Sequence, residues 1–130
     1  MENERVKEFS IVKRAKSFTH AGRGLWVFLK TTHNVWIHAL VLALAVALGF
    51  YFKITHVEWI FLIFSGGLVL TAEAFNTAIE IDIDLTSPEY HPYARDTKDV
   101  AAGAVLISSI TAFLVGVLIF GHYFLDIFFL

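Results

Sequence analysis

Polar side chains interrupt an otherwise apolar stretch in the middle of the chain. Residues 73–80 read EAFNTAIE, and Asp82 and Asp84 follow. A charged group at membrane depth costs about 2.5–3.5 kcal/mol, so carboxylates in an apolar helix favour a functional role. A carboxylate at lipid depth suits a general base for a hydroxyl. Oxygen ligands nearer water suit Mg²⁺ carrying phosphates, and together these groups predict phosphoryl transfer.

Helical periodicity places most of these polar groups on one face. At about 100° per residue, four of them share one side of a helix, namely Glu73, Asn76, Glu80 and Asp84. Asp82 falls on the opposite side, where a solvated or headgroup-facing charge is expected. Gly66 lies on the polar face, which predicts close approach of a second helix.

The depth of each carboxylate follows from the helical rise. If Trp59 marks the outer interface, Glu73 lies 14 residues further along, which is about 21 Å at 1.5 Å per residue. Glu80 is then roughly 10 Å closer to the cytoplasm. We therefore expect Glu73 at the inner acyl boundary, beside a lipid-borne group, and Glu80 near the headgroups, beside a cation.

The composition is that of a small membrane protein. The chain has 130 residues, of which 57% are hydrophobic and 17% are charged, and its mean hydropathy is +0.66. These values predict a single membrane domain over residues 1–130. A net charge of −2 gives no indication of a nucleic-acid partner, and the absence of cysteine excludes disulfides and thiolate chemistry.

Three charge-free runs predict the elements that position the polar residues. Asp, Glu, Lys and Arg are absent from residues 31–52, 59–72 and 100–125. Because a membrane span needs roughly 20 residues, the predicted spans are about 33–53, 57–84 and 98–126. The second span reaches this length only by including the carboxylates.

Basic residues set the predicted orientation. Seven lysines and arginines precede the first span, whereas Lys53 alone lies between the first and second spans. The positive-inside rule therefore predicts a cytoplasmic amino terminus and a cytoplasmic 85–99 loop. Residues 1–30 alternate apolar and basic side chains, which predicts an amphipathic helix at the membrane surface. Gly22 and Gly24 are expected to bend its path.

The polar loop after the second span carries further candidate residues. Residues 87–99 end with Lys98 and Asp99 at the mouth of the third span, where an ammonium could neutralise phosphate charge. The P-loop pattern and the protein-kinase signatures are absent from the sequence. A kinase with this sequence would therefore belong neither to the P-loop enzymes nor to the protein kinases.

Four motifs resemble one known family. They are EAFNTAIE at residues 73–80 with Asp84, EYHP at 89–92, KDVAAGAV at 98–105 and KSFTHAGRG at 16–24. In order and spacing they resemble the small integral-membrane lipid kinases of bacteria, the prokaryotic diacylglycerol kinase and undecaprenol kinase family. The resemblance covers roughly residues 13–120 and is strongest to the Gram-positive undecaprenol kinase branch.

The resemblance implies a fold, cofactors and roles for individual residues. The implied fold is all-α, with three transmembrane helices and an amino-terminal amphipathic surface helix, assembled as a homotrimer with shared active sites in the bacterial inner membrane. Glu73 matches the catalytic base, Glu80 a Mg²⁺ ligand, and Asn76 and Asp84 supporting positions. The positions that match contacts to ATP are Lys13, His20, Glu80, Glu89, Tyr90, His91, Lys98 and Asp99.

One position departs from the family pattern. Residues 32–34 read Thr-His-Asn where the family usually has Glu-Arg-Asn, so Thr32 replaces a second metal-binding glutamate. A hydroxyl is a weaker ligand than a carboxylate, and we expect weakened Mg²⁺ affinity unless water, His33 or Asp84 compensates.

Other interpretations stay open at this point. Undecaprenol is the expected substrate and diacylglycerol the alternative, since both present a primary hydroxyl at the inner interface. A small proton-coupled transporter also keeps one membrane-embedded glutamate, and a catalytically inactive scaffold would fit Thr32. The three histidines His38, His56 and His122 are expected to be interfacial or packed residues rather than ligands.

Overall fold

The structure is a computed structural model that describes residues 11–129, with side chains for residues 14–127 and 129. The regular secondary structure over this range is entirely α-helical. The four helices are α1 (Ile11–Thr31), α2 (His33–Phe52), α3 (His56–Thr86) and α4 (Pro92–Phe129). The last three are long and apolar enough to cross a membrane. The predicted helical class is therefore confirmed.

A tight turn reverses the chain between α2 and α3. Lys53 adopts a left-handed conformation with φ 54°, and Ile54 donates a backbone hydrogen bond of 3.1 Å to the Gly49 carbonyl. Thr55 and Glu58 then form a capping box, in which each side chain bonds the other residue's backbone N–H. These local bonds satisfy part of the orphan backbone groups at the two helix ends, and the turn makes α2 and α3 antiparallel.

Large side chains pack where this turn meets the far end of α4. A buried cluster joins the turn to α3 and α4, and it consists of Ile54, Leu62, Ile119 and Phe120. Phe52 stacks on Tyr123 with 5.2 Å between ring centroids, and the Tyr123 hydroxyl donates to Glu58 at 3.1 Å. We call this region the aromatic end and the opposite end, which contains Glu80, the polar end.

Two glycines allow α2 and α3 to approach. A Cβ on Gly66 would lie 2.6 Å from Leu42 Cδ1, and one on Gly49 would lie 2.8 Å from the Trp59 ring. The expectation that Gly66 permits close helix approach is confirmed. Close contact at both glycines fixes the register of the two helices, and this register decides which side chains meet at the polar end.

The connection between α3 and α4 is shorter than the sequence indicated. Only residues 87–91 separate α3 from α4, because α4 begins at Pro92. Proline suits the first turn of a helix, where its missing N–H costs nothing. The expectation of a loop reaching Asp99 was wrong, since Lys98 and Asp99 lie on α4.

The first helix is continuous. It runs through Gly22 and Gly24 without interruption, and the expected bend at these glycines stays a prediction. It packs through Phe28, which is buried, while Leu25 and Trp26 stay exposed. Thr32 alone separates α1 from α2, with the Thr32 N–H bonded to the Phe28 carbonyl at 3.1 Å.

Candidate active site

Glu73 is the most deeply buried charged side chain of the described residues. It is 1% exposed and lies on α3 between apolar neighbours. Isolated charge in such surroundings is costly, so buried carboxylates are held by hydrogen bonds. The partners of this side chain therefore define the centre of the site.

The partner of Glu73 comes from the neighbouring helix. Nε2 of His38 lies 3.0 Å from Oε1 of Glu73. The histidine side chain is 24% exposed and the glutamate side chain 2%. His38 was expected to be interfacial or packed, and the structure packs it directly against the candidate base. Because His38 and Glu73 are 35 residues apart in the sequence, neither short-range spacing nor a motif indicated this contact.

Asn76 and Glu80 form a second pair on α3. The Asn76 amide donates from Nδ2 to Oε1 of Glu80 at 2.9 Å, the spacing at which helical residues meet. Asn76 is buried while Glu80 is exposed. Oδ1 of Asn76 is buried without a hydrogen-bond partner among the described residues. Exposure therefore rises along this face from Glu73 to Glu80, and the depth of each carboxylate in a membrane stays a prediction.

Thr32 is bound by another threonine. Its hydroxyl lies 2.6 Å from that of Thr77, and the Thr77 hydroxyl also lies 2.9 Å from the Glu73 carbonyl oxygen. Because Thr77 donates to this carbonyl, Thr32 donates to Thr77. Thr32, the residue that departs from the family pattern, thus links the start of α2 to α3 beside Glu73.

Asp84 pairs with Lys98 rather than with the other carboxylates. The Lys98 ammonium donates to Oδ1 of Asp84 and so joins α3 to α4. Asp99 lies one residue further, with Arg95 at 3.9 Å. Asp82 is exposed, as its position on the opposite face predicted. The last turns of α3 and the first turns of α4 therefore carry charges of both signs at the polar end.

The remaining candidate nucleotide contacts are exposed. Glu89, Tyr90 and His91 lie in the connection before α4, and Nδ1 of His91 accepts from the Tyr93 N–H at 3.3 Å. His20 is exposed on α1. Lys13 lies in the same helix, and its side chain is outside the described residues. No hydrogen bond among the described residues joins these positions to Glu73, Asn76 or Glu80.

An apolar groove of about 550 Å³ runs from His38 towards the aromatic end between α2, α3 and α4. Its walls include Leu42, Val69 and Phe113, and it ends near Phe124. His38 is the only titratable residue among its described lining. The groove therefore offers an apolar path along the helices to His38, the hydrogen-bond partner of the buried carboxylate.

Three apolar helices around a buried carboxylate define a small helical membrane protein with a polar site at one end. Over residues 19–120, the chain matches the family described as prokaryotic diacylglycerol kinase. It is similar to the undecaprenol kinase of Bacillus subtilis (strain 168), with 38% identity over 105 residues, 81% of this chain and 85% of the relative.

Diacylglycerol kinases are similar as well. That of Helicobacter pylori (strain ATCC 700392 / 26695) is 30% identical over 95% of this chain and 98% of its own. That of Escherichia coli (strain K12) is 33% identical over 62% of this chain and 66% of its own. The chain belongs to the prokaryotic diacylglycerol kinase family. It is a membrane lipid kinase, as the resemblance of the motifs predicted.

Proposed function

We propose that the protein transfers the γ-phosphoryl group of ATP to the hydroxyl of undecaprenol, with Glu73 as the general base. The observation that carries this proposal is a carboxylate that is 1% exposed within a span, followed along the same face by Asn76 and the exposed Glu80. A base at lipid depth and a metal ligand nearer water match the two halves of this reaction.

The residues at the two ends of the polar face of α3 serve different parts of the proposed reaction. Glu73 takes the proton as the lipid oxygen attacks the γ-phosphorus. A new P–O bond forms, the bond to the bridging oxygen breaks, and ADP leaves with that oxygen. Phosphoryl transfer depends mostly on positioning and on charge stabilisation. Burial of Glu73 keeps competing water away from the base.

The donor set at Asn76 and Glu80 fits Mg²⁺. Glu80 supplies a carboxylate, and Oδ1 of Asn76 is a buried amide oxygen without a described partner. Hard oxygen ligands with open positions for water and phosphate are what Mg²⁺ requires, and this cation neutralises phosphate charge when bound. Thr32 is engaged with Thr77, so we propose that affinity for the cation is weak at this site.

The exposed residues near the polar end complete the proposed nucleotide site. Lys98 is placed to contact phosphates, with Asp99 beside it on α4, and the other proposed contacts are Lys13, His20, Glu80, Glu89, Tyr90 and His91. Basic residues before α2 support a cytoplasmic polar end. The proposed location is the bacterial inner membrane, with the amphipathic α1 on its cytoplasmic surface.

We also propose a homotrimer with active sites shared between protomers. Each of α2, α3 and α4 exposes large apolar side chains, which require lipid or a neighbouring copy as cover. Native mass spectrometry of the detergent-solubilised protein tests this assembly, and an active monomer would contradict it.

Undecaprenol is proposed because the relative with 38% identity is an undecaprenol kinase. Diacylglycerol is the second candidate because other relatives are diacylglycerol kinases. Both lipids present a primary hydroxyl, so the reacting groups do not separate them. The difference lies in the tail, which is a polyprenyl chain in one and a pair of acyl chains in the other.

The deciding experiment assays the purified protein in mixed micelles with Mg-ATP and either alcohol at equal surface concentration. We expect kcat/KM to be higher for undecaprenol. Faster phosphorylation of diacylglycerol would overturn the choice of substrate. Phosphorylation of neither alcohol, with proton flux in reconstituted vesicles instead, would favour a transporter.

A further inference from the structure

We infer that His38 is a positioning residue for Glu73, which holds one oxygen of the carboxylate and leaves the other for the substrate hydroxyl. The inference rests on the proposed role of Glu73 as the general base. It goes beyond that role because it assigns a function to a second helix, α2, in preparing the base.

The direction of the hydrogen bond follows from the chemistry of the pair. A general base must be ionised before the reaction, and an ionised carboxylate only accepts hydrogen bonds. Nε2 of His38 must therefore carry the hydrogen that bridges the 3.0 Å to Oε1 of Glu73. This bond fixes which ring nitrogen of His38 carries the hydrogen that faces the carboxylate.

The same bond decides which carboxylate oxygen is available. Oε1 is occupied by the imidazole, and no described residue is hydrogen-bonded to Oε2 of Glu73. Without His38 the carboxylate could rotate about its terminal torsion, which is broad for glutamate. With it, Oε2 has a fixed direction from which to accept the proton of a bound alcohol.

The surroundings strengthen this contact. His38 borders the apolar groove between α2, α3 and α4, whose other described lining residues carry no titratable group. A hydrogen bond in such low-dielectric surroundings is stronger than in water, and losing one partner leaves the other unsatisfied. A lipid that enters along the groove meets the imidazole beside the base.

The experiment compares three histidine variants in the micelle assay with undecaprenol. His38→Leu removes the donor, His38→Gln keeps an N–H donor near the position of Nε2, and His56→Leu alters an exposed histidine at the aromatic end. For His38→Leu we expect kcat to fall about 10- to 100-fold with the lipid KM within about twofold. His38→Gln should recover most of kcat, and His56→Leu should match the wild type.

Three results would overturn the inference. These are a kcat for His38→Leu equal to that of His56→Leu, a His38→Gln variant as slow as His38→Leu, or a loss confined to the lipid KM. A wild-type protein that phosphorylates neither alcohol would instead overturn the proposed function, so the two failures are distinguishable.

The pair also has a readout that needs no turnover. With ¹⁵N-labelled histidine in the full-length protein, Glu73→Gln should move the ring-nitrogen resonances of His38 and leave those of His56 in place. His38→Gln assigns the signal by removing it. Unmoved resonances would show that the imidazole does not bond the carboxylate and would overturn the inference.

Discussion

The two ends of the helical bundle are built from different interactions. The aromatic end packs rings and aliphatic side chains, with Phe50 and Trp59 at 4.9 Å and Phe52 on Tyr123 at 5.2 Å between centroids. The polar end instead contains discrete side-chain pairs, such as Glu73 with His38 and Asn76 with Glu80. Dispersion and shape hold the first region, whereas directional bonds organise the second.

This difference assigns stability and chemistry to separate regions. Active sites keep groups that are costly to bury, and the cost is tolerated when packing elsewhere is good. Glu73 lies within the same helix as Leu62, which is part of the packed cluster. One long helix thus connects the region that stabilises the bundle to the proposed active site.

The largest expected effect is a loss of turnover at the polar end. Glu73→Gln keeps the shape of the side chain and removes the base, so turnover should fall by about 10²- to 10⁴-fold, with little change in thermal unfolding. The matched control at the other end is Glu58→Ala, which removes a capping box and the Tyr123 contact. It should cost about 1 kcal/mol of stability and leave turnover per folded molecule nearly unchanged.

Both quantities are measured on the same preparations, by lipid phosphorylation and by thermal unfolding in detergent. A Glu73→Gln protein with near wild-type turnover would contradict the division between the two ends. So would a Glu58→Ala protein that is stable but inactive.

A smaller effect is expected from adding a methyl group where α2 contacts α3 at the aromatic end. A Cβ on Gly49 would lie 2.8 Å and 3.0 Å from two atoms of the rigid Trp59 ring. Overpacking of this kind should lower the free energy of unfolding of Gly49→Ala by about 1–2 kcal/mol. Gly67→Ala is the control, because nothing lies within 4 Å of its Cβ position.

Denaturant or thermal unfolding of both variants measures this effect, and turnover per folded molecule should stay close to wild type. Equal stability of Gly49→Ala and Gly67→Ala would show that α2 and α3 are not in close contact at this glycine.

The smallest expected effect concerns the metal. Thr32→Glu places a carboxylate at the position that departs from the family pattern. A second charged ligand there should lower the Mg²⁺ concentration for half-maximal turnover by roughly threefold to tenfold. Thr31→Glu adds the same charge one residue earlier on α1, on an exposed side chain, and controls for charge alone. Identical Mg²⁺ dependence of Thr32→Glu and the wild type would contradict the proposed weak site.

Periodicity along one helix predicted much of the polar face. Spacing alone placed Glu73, Asn76, Glu80 and Asp84 on one face of α3, along which burial falls from Glu73 to the exposed Glu80 and Asp84. This worked because the rise and twist of a single helix are nearly fixed. The close approach at Gly66 was predictable for the same reason.

Contacts between helices were not predictable in this way. His38 precedes the turn residue Ile54 by 16 positions and Glu73 follows it by 19, so a count from the turn would have placed both at similar depth. Such a count does not say which faces meet, since that depends on packing at Gly49 and Gly66. The length of the polar loop was overestimated because Pro92 starts a helix through residues that are locally polar.

The ion pair between Asp84 and Lys98 has a consequence for the segment that it spans. It links α3 to α4 on either side of residues 87–91, so this short connection is tethered at its base. A chain segment with tied ends samples fewer conformations than a free one, and ordering it around a ligand costs correspondingly less entropy. Glu89, Tyr90 and His91, which are proposed nucleotide contacts, therefore sample fewer conformations than they would in an untethered segment.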